Sequence, residues 1–216
     1  MNKFSSIVII VIVQICSINP VIANEVDAKK CSNSVSGGVI FRDAMSGDDE
    51  AQYYLGNKLF SPACTSDEQE KGLLFLMHAA ESDHPGALFV LGHMLFENAQ
   101  NDREVYDALT HLEKSSRLGY RLAQSYLGSI LLNNASTQIE KFKALDLLKK
   151  AALAGSRDAA NTLHHIYFSG LYEEKKSSCL ANFWFALAIK KDNFTSSQID
   201  VKIPNCSNGD KITVLE

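Results

Sequence analysis

The sequence repeats itself every 36 residues, and this period constrains the fold more than any other property. Leu55-Gly56 recurs as Leu91-Gly92 and Leu127-Gly128, with Leu163-His164 as the fourth copy. An alanine stands four residues before each leucine, at Ala51, Ala87, Ala123 and Ala159. A second signature keeps the same phase: Ala79-Ala80, Ser115-Ser116 and Ala151-Ala152, with Asp83, Gly119 and Gly155 four residues after the first of each pair. Ala44 and Gly47 mark a degenerate upstream copy. A fixed period of roughly 20 to 50 residues signals stacked supersecondary units, because one small unit cannot bury its apolar face alone.

Each unit reads as two helices. Ala51, Leu55 and Leu59 lie on one helical face at i, i+4 and i+8, as do Ala87, Leu91 and Leu95, and Ala123, Leu127 and Leu131. The second helix carries Leu73, Leu76, Ala79 and Ala80, then Leu109, Leu112, Ser115 and Ser116, then Leu145, Leu148, Ala151 and Ala152. Gly56, Gly92 and Gly128 fall inside the first helix, where glycine costs about 1 kcal/mol relative to alanine. Their recurrence in phase predicts a helix crossing too close for a side chain. Gly119 and Gly155 fall where the second helix stops, as left-handed caps.

Residues 1–23 read as an address. Lys3 is followed by an apolar run from Ile7 to Val13, then Gln14, Pro20 and Val21-Ile22-Ala23, the order of a secretory signal cleaved after Ala23. The run is far shorter than the ~20 residues needed to span a bilayer, so no stable membrane insertion is expected after cleavage. Export to an oxidising compartment makes Cys31, Cys64, Cys179 and Cys206 candidates for two disulfides. Three connectivities are possible; the expectation is the local one, Cys31 with Cys64 and Cys179 with Cys206. The resulting organisation is a signal at 1–23, an N-terminal cap segment at 24–37, repeats over 38–192 and a C-terminal cap or tail at 193–216.

Composition narrows the function. With 46% apolar residues and 21 Lys plus Arg against 25 Asp plus Glu, the chain is neither disordered nor basic enough to hold nucleic acid. The sequence has no G-x-S-x-G, S-x-x-K, H-E-x-x-H, C-x-x-C or Gly-rich phosphate loop. No catalytic residue, cofactor or metal is therefore expected. His93 and His165 share one repeat position two copies apart; stacked helices would hold them roughly 20 Å from each other, whereas ligands share one ion at ~2 Å.

Ala-x-x-x-Leu-Gly, the in-phase Ala-Ala pair and the closing Gly, at a period of 36 rather than the about 34 of tetratricopeptide repeats, resemble the Sel1-like repeat family over residues 38–192. The resemblance implies an all-α fold, a right-handed α/α solenoid of about four helix-turn-helix repeats, whose ends the two expected disulfides would staple. It further implies a concave wall lined by the first helices and a role in binding another protein. The positions so implied as partner-facing are Tyr53, Asn57, Phe89, His93, Glu97, Ser125, Ser129, Asn133, Asn161 and His165. Phe60, Phe96, Leu132 and Phe168 share another phase and are expected to pack between repeats. The expectation is a monomeric periplasmic binder, in its most specific form an immunity protein against a secreted toxic effector such as a phospholipase. The alternatives are a penicillin-interacting enzyme, as in the cysteine-rich branch of the family, and an envelope scaffold.

Overall fold

A computed structural model describes residues 31, 38–172, 174–189, 203, 204 and 206. The expected signal at 1–23 and most of the segments at 24–37 and 193–216 lie outside these residues. All regular structure among the described residues is helical: α1 (Val39–Ser46), α2 (Asp49–Leu59), α3 (Ser66–Glu81), α4 (Pro85–Glu97), α5 (Asp102–Arg117), α6 (Arg121–Asn134), α7 (Gln138–Leu153), α8 (Arg157–Ser169) and α9 (Ser178–Ile189). The helices divide into two compact units, α1 to α5 and α6 to α9, with the boundary between Leu118 and Gly119.

The helix ends repeat with the same period as the interior. The second helices begin at Thr65, Asn101 and Thr137, whose side chains accept from the backbone N–H three residues on. Thr65 with Glu68 and Thr137 with Glu140 form full capping boxes, so two backbone donors are satisfied reciprocally at each start. The first helices begin at Asp48, His84, Tyr120 and Ser156, 36 residues apart, and all but Tyr120 cap with the side chain. At the other end Asp83, Gly119 and Gly155 take left-handed φ values of 63°, 84° and 89°. Paired backbone bonds close two of these turns: Asp83 N–H to Ala80 O with His84 N–H to Ala79 O, and Gly155 N–H to Ala152 O with Ser156 N–H to Ala151 O. An aspartate thus adopts the conformation that glycine takes in the later copies. Lys114 pairs with its carboxylate.

In the first three copies the first helix crosses its second helix at a glycine. A Cβ on Gly56 would lie 2.9 Å from Gly72 O and 2.9 Å from Leu76 N; on Gly92, 3.0 Å from Leu112 N; on Gly128, 3.2 Å from Ala144 O. The expected steric need is real, and in the first pair it is mutual, since a Cβ on Gly72 would lie 2.8 Å from Gly56 O. Leu76, Leu112 and Leu148 close over the three glycines and are fully buried. In the fourth copy the pair changes to His164 and Trp184. His164 donates from Nδ1 to Ala181 O at 2.9 Å, and Trp184 is fully buried in the core of the second unit with Leu148, Leu163 and Ile166.

The two disulfides are Cys31–Cys64 and Cys179–Cys206, the local pairing expected from the sequence, one in each unit.

The α7 capping box has a pH consequence. The Ser136 and Thr137 N–H groups, helped by the two hydroxyls, hold the Glu140 carboxyl at about 2, below its ordinary 4.5. A carboxyl with a depressed folded-state value stabilises the fold above its unfolded value and loses that contribution as pH falls through the folded one. Stability should therefore decline between pH of about 4.5 and about 2, and Glu140→Gln should flatten that part of a pH series of urea midpoints. An unchanged slope would show that the box carries no linkage. Because Glu140 is fully exposed, the effect is small.

Candidate partner-binding surface

Helices α2 and α4 lie against each other in the first unit. On their outer sides Asn57, His93 and Glu97 are exposed, and Tyr53 and Phe89 are half-buried. The Phe89 ring lies 5.8 Å from the His93 ring, one turn on. Tyr53 is partly spent on packing: its ring stacks on His84 at 4.4 Å and occupies the space a Cβ on Gly86 would need. Phe60 and Phe96 are half-buried, and Phe60 packs against the core around Leu88 and Leu91.

His84 plays a part that its single occurrence does not advertise. Its Nδ1 accepts from Ala87 N–H at 3.2 Å, which places the ring proton on Nε2, 3.0 Å from the Glu50 carboxylate. The buried imidazole therefore caps α4, ties it to α2 and supports the Tyr53 ring.

In the second unit the same positions are smaller and more polar. Asn133, Asn161 and His165 are exposed, and Ser129 is half-buried with its hydroxyl donating to Ser125 O. Ser125 departs from its expected partner-facing role: it is buried, and the Ser156 hydroxyl donates to its Oγ at 3.1 Å. A hydroxyl is small enough to enter a close helix contact once its hydrogen bonds are met inside. Leu132 is buried as expected, whereas Phe168 is 65% exposed beside His164. The neighbouring histidines differ in environment, His164 half-buried and His165 exposed.

A second feature was not read from the sequence. A groove of about 320 Å³ opens between α3, α4 and α5, floored by Met77, Ala80, Leu88 and Leu91 and edged by Glu81, Thr110, His111 and Lys114. Two copies later, 72 residues on, Glu81 and His111 correspond to Leu153 and Phe183, which pack onto the core of the second unit. Those apolar-for-polar exchanges at two repeat positions were the available signal.

Among the described residues, one group brings three metal-ligating side chains together: Cys31, Cys64 and Glu68. The two sulfurs are bonded to each other, which leaves one carboxylate and no thiolate to hold an ion. No described helix is long and apolar enough to cross a membrane.

A scan of protein-family models finds no match, and neither does a search of curated proteins. Solved structures do match. A protective antigen present in uropathogenic Escherichia coli strains, displaying an SLR fold, aligns at a TM-score of 0.57 and 26% identity over 69% of this chain. A Sel1 repeat protein from Oxalobacter formigenes aligns at a TM-score of 0.60 and 24% identity over 69% of this chain. The chain spans 32% and 61% of the lengths of these two proteins. The 36-residue period, the glycine crossings and these alignments together give the chain the fold of the Sel1-like repeat proteins.

Proposed function

We propose that the chain is an exported protein-binding module that holds a partner through the outer sides of its first helices. The observation that carries this reading is the neighbouring placement of Phe89, His93, Glu97 and Asn57 on α2 and α4. A half-exposed aromatic ring beside an imidazole, on a face that also carries an exposed amide and carboxylate, is the composition that interface centres favour. Repeat folds of this kind present helix faces that need no chemistry of their own. Two disulfides fit an oxidising compartment, which supports reading residues 1–23 as an export signal and the site of action as periplasmic or secreted. In its most specific form the partner is a toxic secreted effector that binding would inhibit.

The test compares residues 24–216 with an Asn57→Ala, Phe89→Ala, His93→Ala variant as bait, each first matched in helical content. Tyr53 stays in place because its ring supports His84. One stoichiometric partner whose affinity for the variant falls at least tenfold, about 1.4 kcal/mol, is the expected result. A toxin inhibited by that complex would establish the specific form. A partner held equally well by the variant would remove this face from the account.

A further inference from the structure

The charge of the chain changes along its length. Residues 38–118 carry six Lys and Arg against fourteen Asp and Glu, whereas residues 119–189 carry eight against five. Helices α3 and α7 show the contrast. Helix α3 holds Lys71 against Asp67, Glu68, Glu70 and Glu81; α7 holds Lys141, Lys143, Lys149 and Lys150 against Glu140 and Asp146. Of those two acids, Glu140 is committed to backbone donors at the cap, and Asp146 lies 2.7 Å from Lys150.

On this basic helix two large apolar side chains stand in water. Ile139 is 68% and Phe142 is 58% exposed, one turn apart on the face that continues through Lys143, Asp146 and Lys150. The repeat supplies its own contrast. Phe142 has the phase of Tyr106 on α5, 36 residues earlier and 71% exposed, which is followed by Asp107 where Phe142 is followed by Lys143. Tyr106 is thus flanked by Asp102, Asp107 and Arg103, and Phe142 by Lys141 and Lys143.

We propose that the outer face of α7 docks on an anionic lipid bilayer, with Ile139 and Phe142 entering the headgroup boundary and Lys143 and Lys150 facing lipid phosphates. Apolar side chains beside lysines are the pattern of interfacial attachment, where shallow burial and attraction to negative headgroups act together. A soft boundary receives protruding side chains without a matching pocket, whereas an acidic protein surface would need one. The Asp146–Lys150 pair is exposed on both sides, so Lys150 can exchange its partner for a phosphate at little cost. This surface belongs to a second helix and does not depend on the partner-binding reading of the first helices.

The experiment is co-sedimentation of residues 24–216, disulfides intact, with two kinds of vesicle: phosphatidylglycerol mixed with phosphatidylethanolamine, and phosphatidylcholine alone. Binding to the first and not the second, reversed by high salt, is expected. Phe142→Ser with Lys143→Glu should lower the partition at least tenfold, while Tyr106→Ser should leave it unchanged. Both positions are exposed, so circular dichroism should show the parent's helical content in each variant. No sedimentation with either vesicle, equal sedimentation with both, or equal loss in the Tyr106 variant would overturn the proposal.

Discussion

Gly56→Ala lowers the stability of the first unit by about 1 to 2 kcal/mol, measured as a shift in urea midpoint by far-ultraviolet circular dichroism. Two effects oppose each other. Alanine is the better helix former by about 1 kcal/mol, so a glycine with free space around it would gain from the change. At Gly56 the new Cβ meets Leu76 Cγ at 2.8 Å and two backbone atoms at 2.9 Å. Backbone cannot swing aside as a side-chain tip can, so α2 and α3 must separate, and overpacking of this kind typically costs about 1 to 3 kcal/mol and sometimes more. The other crossings are graded. A Cβ on Gly92 meets its nearest atoms at 2.9, 3.0 and 3.1 Å, and one on Gly128 at 3.0, 3.2 and 3.2 Å. Gly92→Ala should therefore cost less than Gly56→Ala, and Gly128→Ala should come near to neutral as propensity offsets a small outward shift. A Gly56→Ala chain as stable as its parent would show that the in-phase glycines are not steric.

Removing either disulfide costs about 3 to 4 kcal/mol by loop-closure entropy, for sequence separations of 33 and 27. Against the roughly 5 to 15 kcal/mol that holds a domain folded, this is a large share. Each loss falls on one unit: Cys31→Ser with Cys64→Ser on the first, Cys179→Ser with Cys206→Ser on the second. The readout is the urea midpoint of each double variant and of the reduced parent. Reduction that leaves the midpoint of the parent where it was would mean that the denatured chain gains no freedom from opening these loops.

The fold was legible because periodicity and packing are the same fact here. Leucines at i and i+4 and glycines at fixed phase are what close helix pairs require, so the 36-residue arithmetic located both helices of each unit and the left-handed turns at Gly119 and Gly155. Asp83 shows the limit of reading by residue type. It takes the same conformation with φ at 63° because the surrounding turn demands it and Lys114 is placed to pair with its carboxylate.

The candidate surface was less legible, for a physical reason. Periodicity fixes the direction in which a Cα–Cβ bond points, not what lies beyond it. Ser125 has the phase of Phe89 yet is buried, because Ser156 on the next first helix supplies a hydroxyl partner. Tyr53 has the same phase and is held against His84. His84 could have been found by aligning the caps, since Asp48 and Ser156 stand in its position and both are common capping residues. The groove edged by Glu81 and His111 depends on side-chain lengths on three helices at once, which no single stripe encodes.

Trp184, buried in the last helix pair, has a practical consequence. It is the only tryptophan in the sequence, and its indole N–H finds no hydrogen-bond acceptor among the described residues. Intrinsic emission excited at the red edge of protein absorption therefore reports on the second unit alone, while the circular dichroism of the helices reports on both. Superimposable denaturation curves from the two signals would mean that the units melt as one cooperative body. A dichroism transition that precedes the fluorescence one would mean that the acidic half opens first, and that the tryptophan remains enclosed while it does.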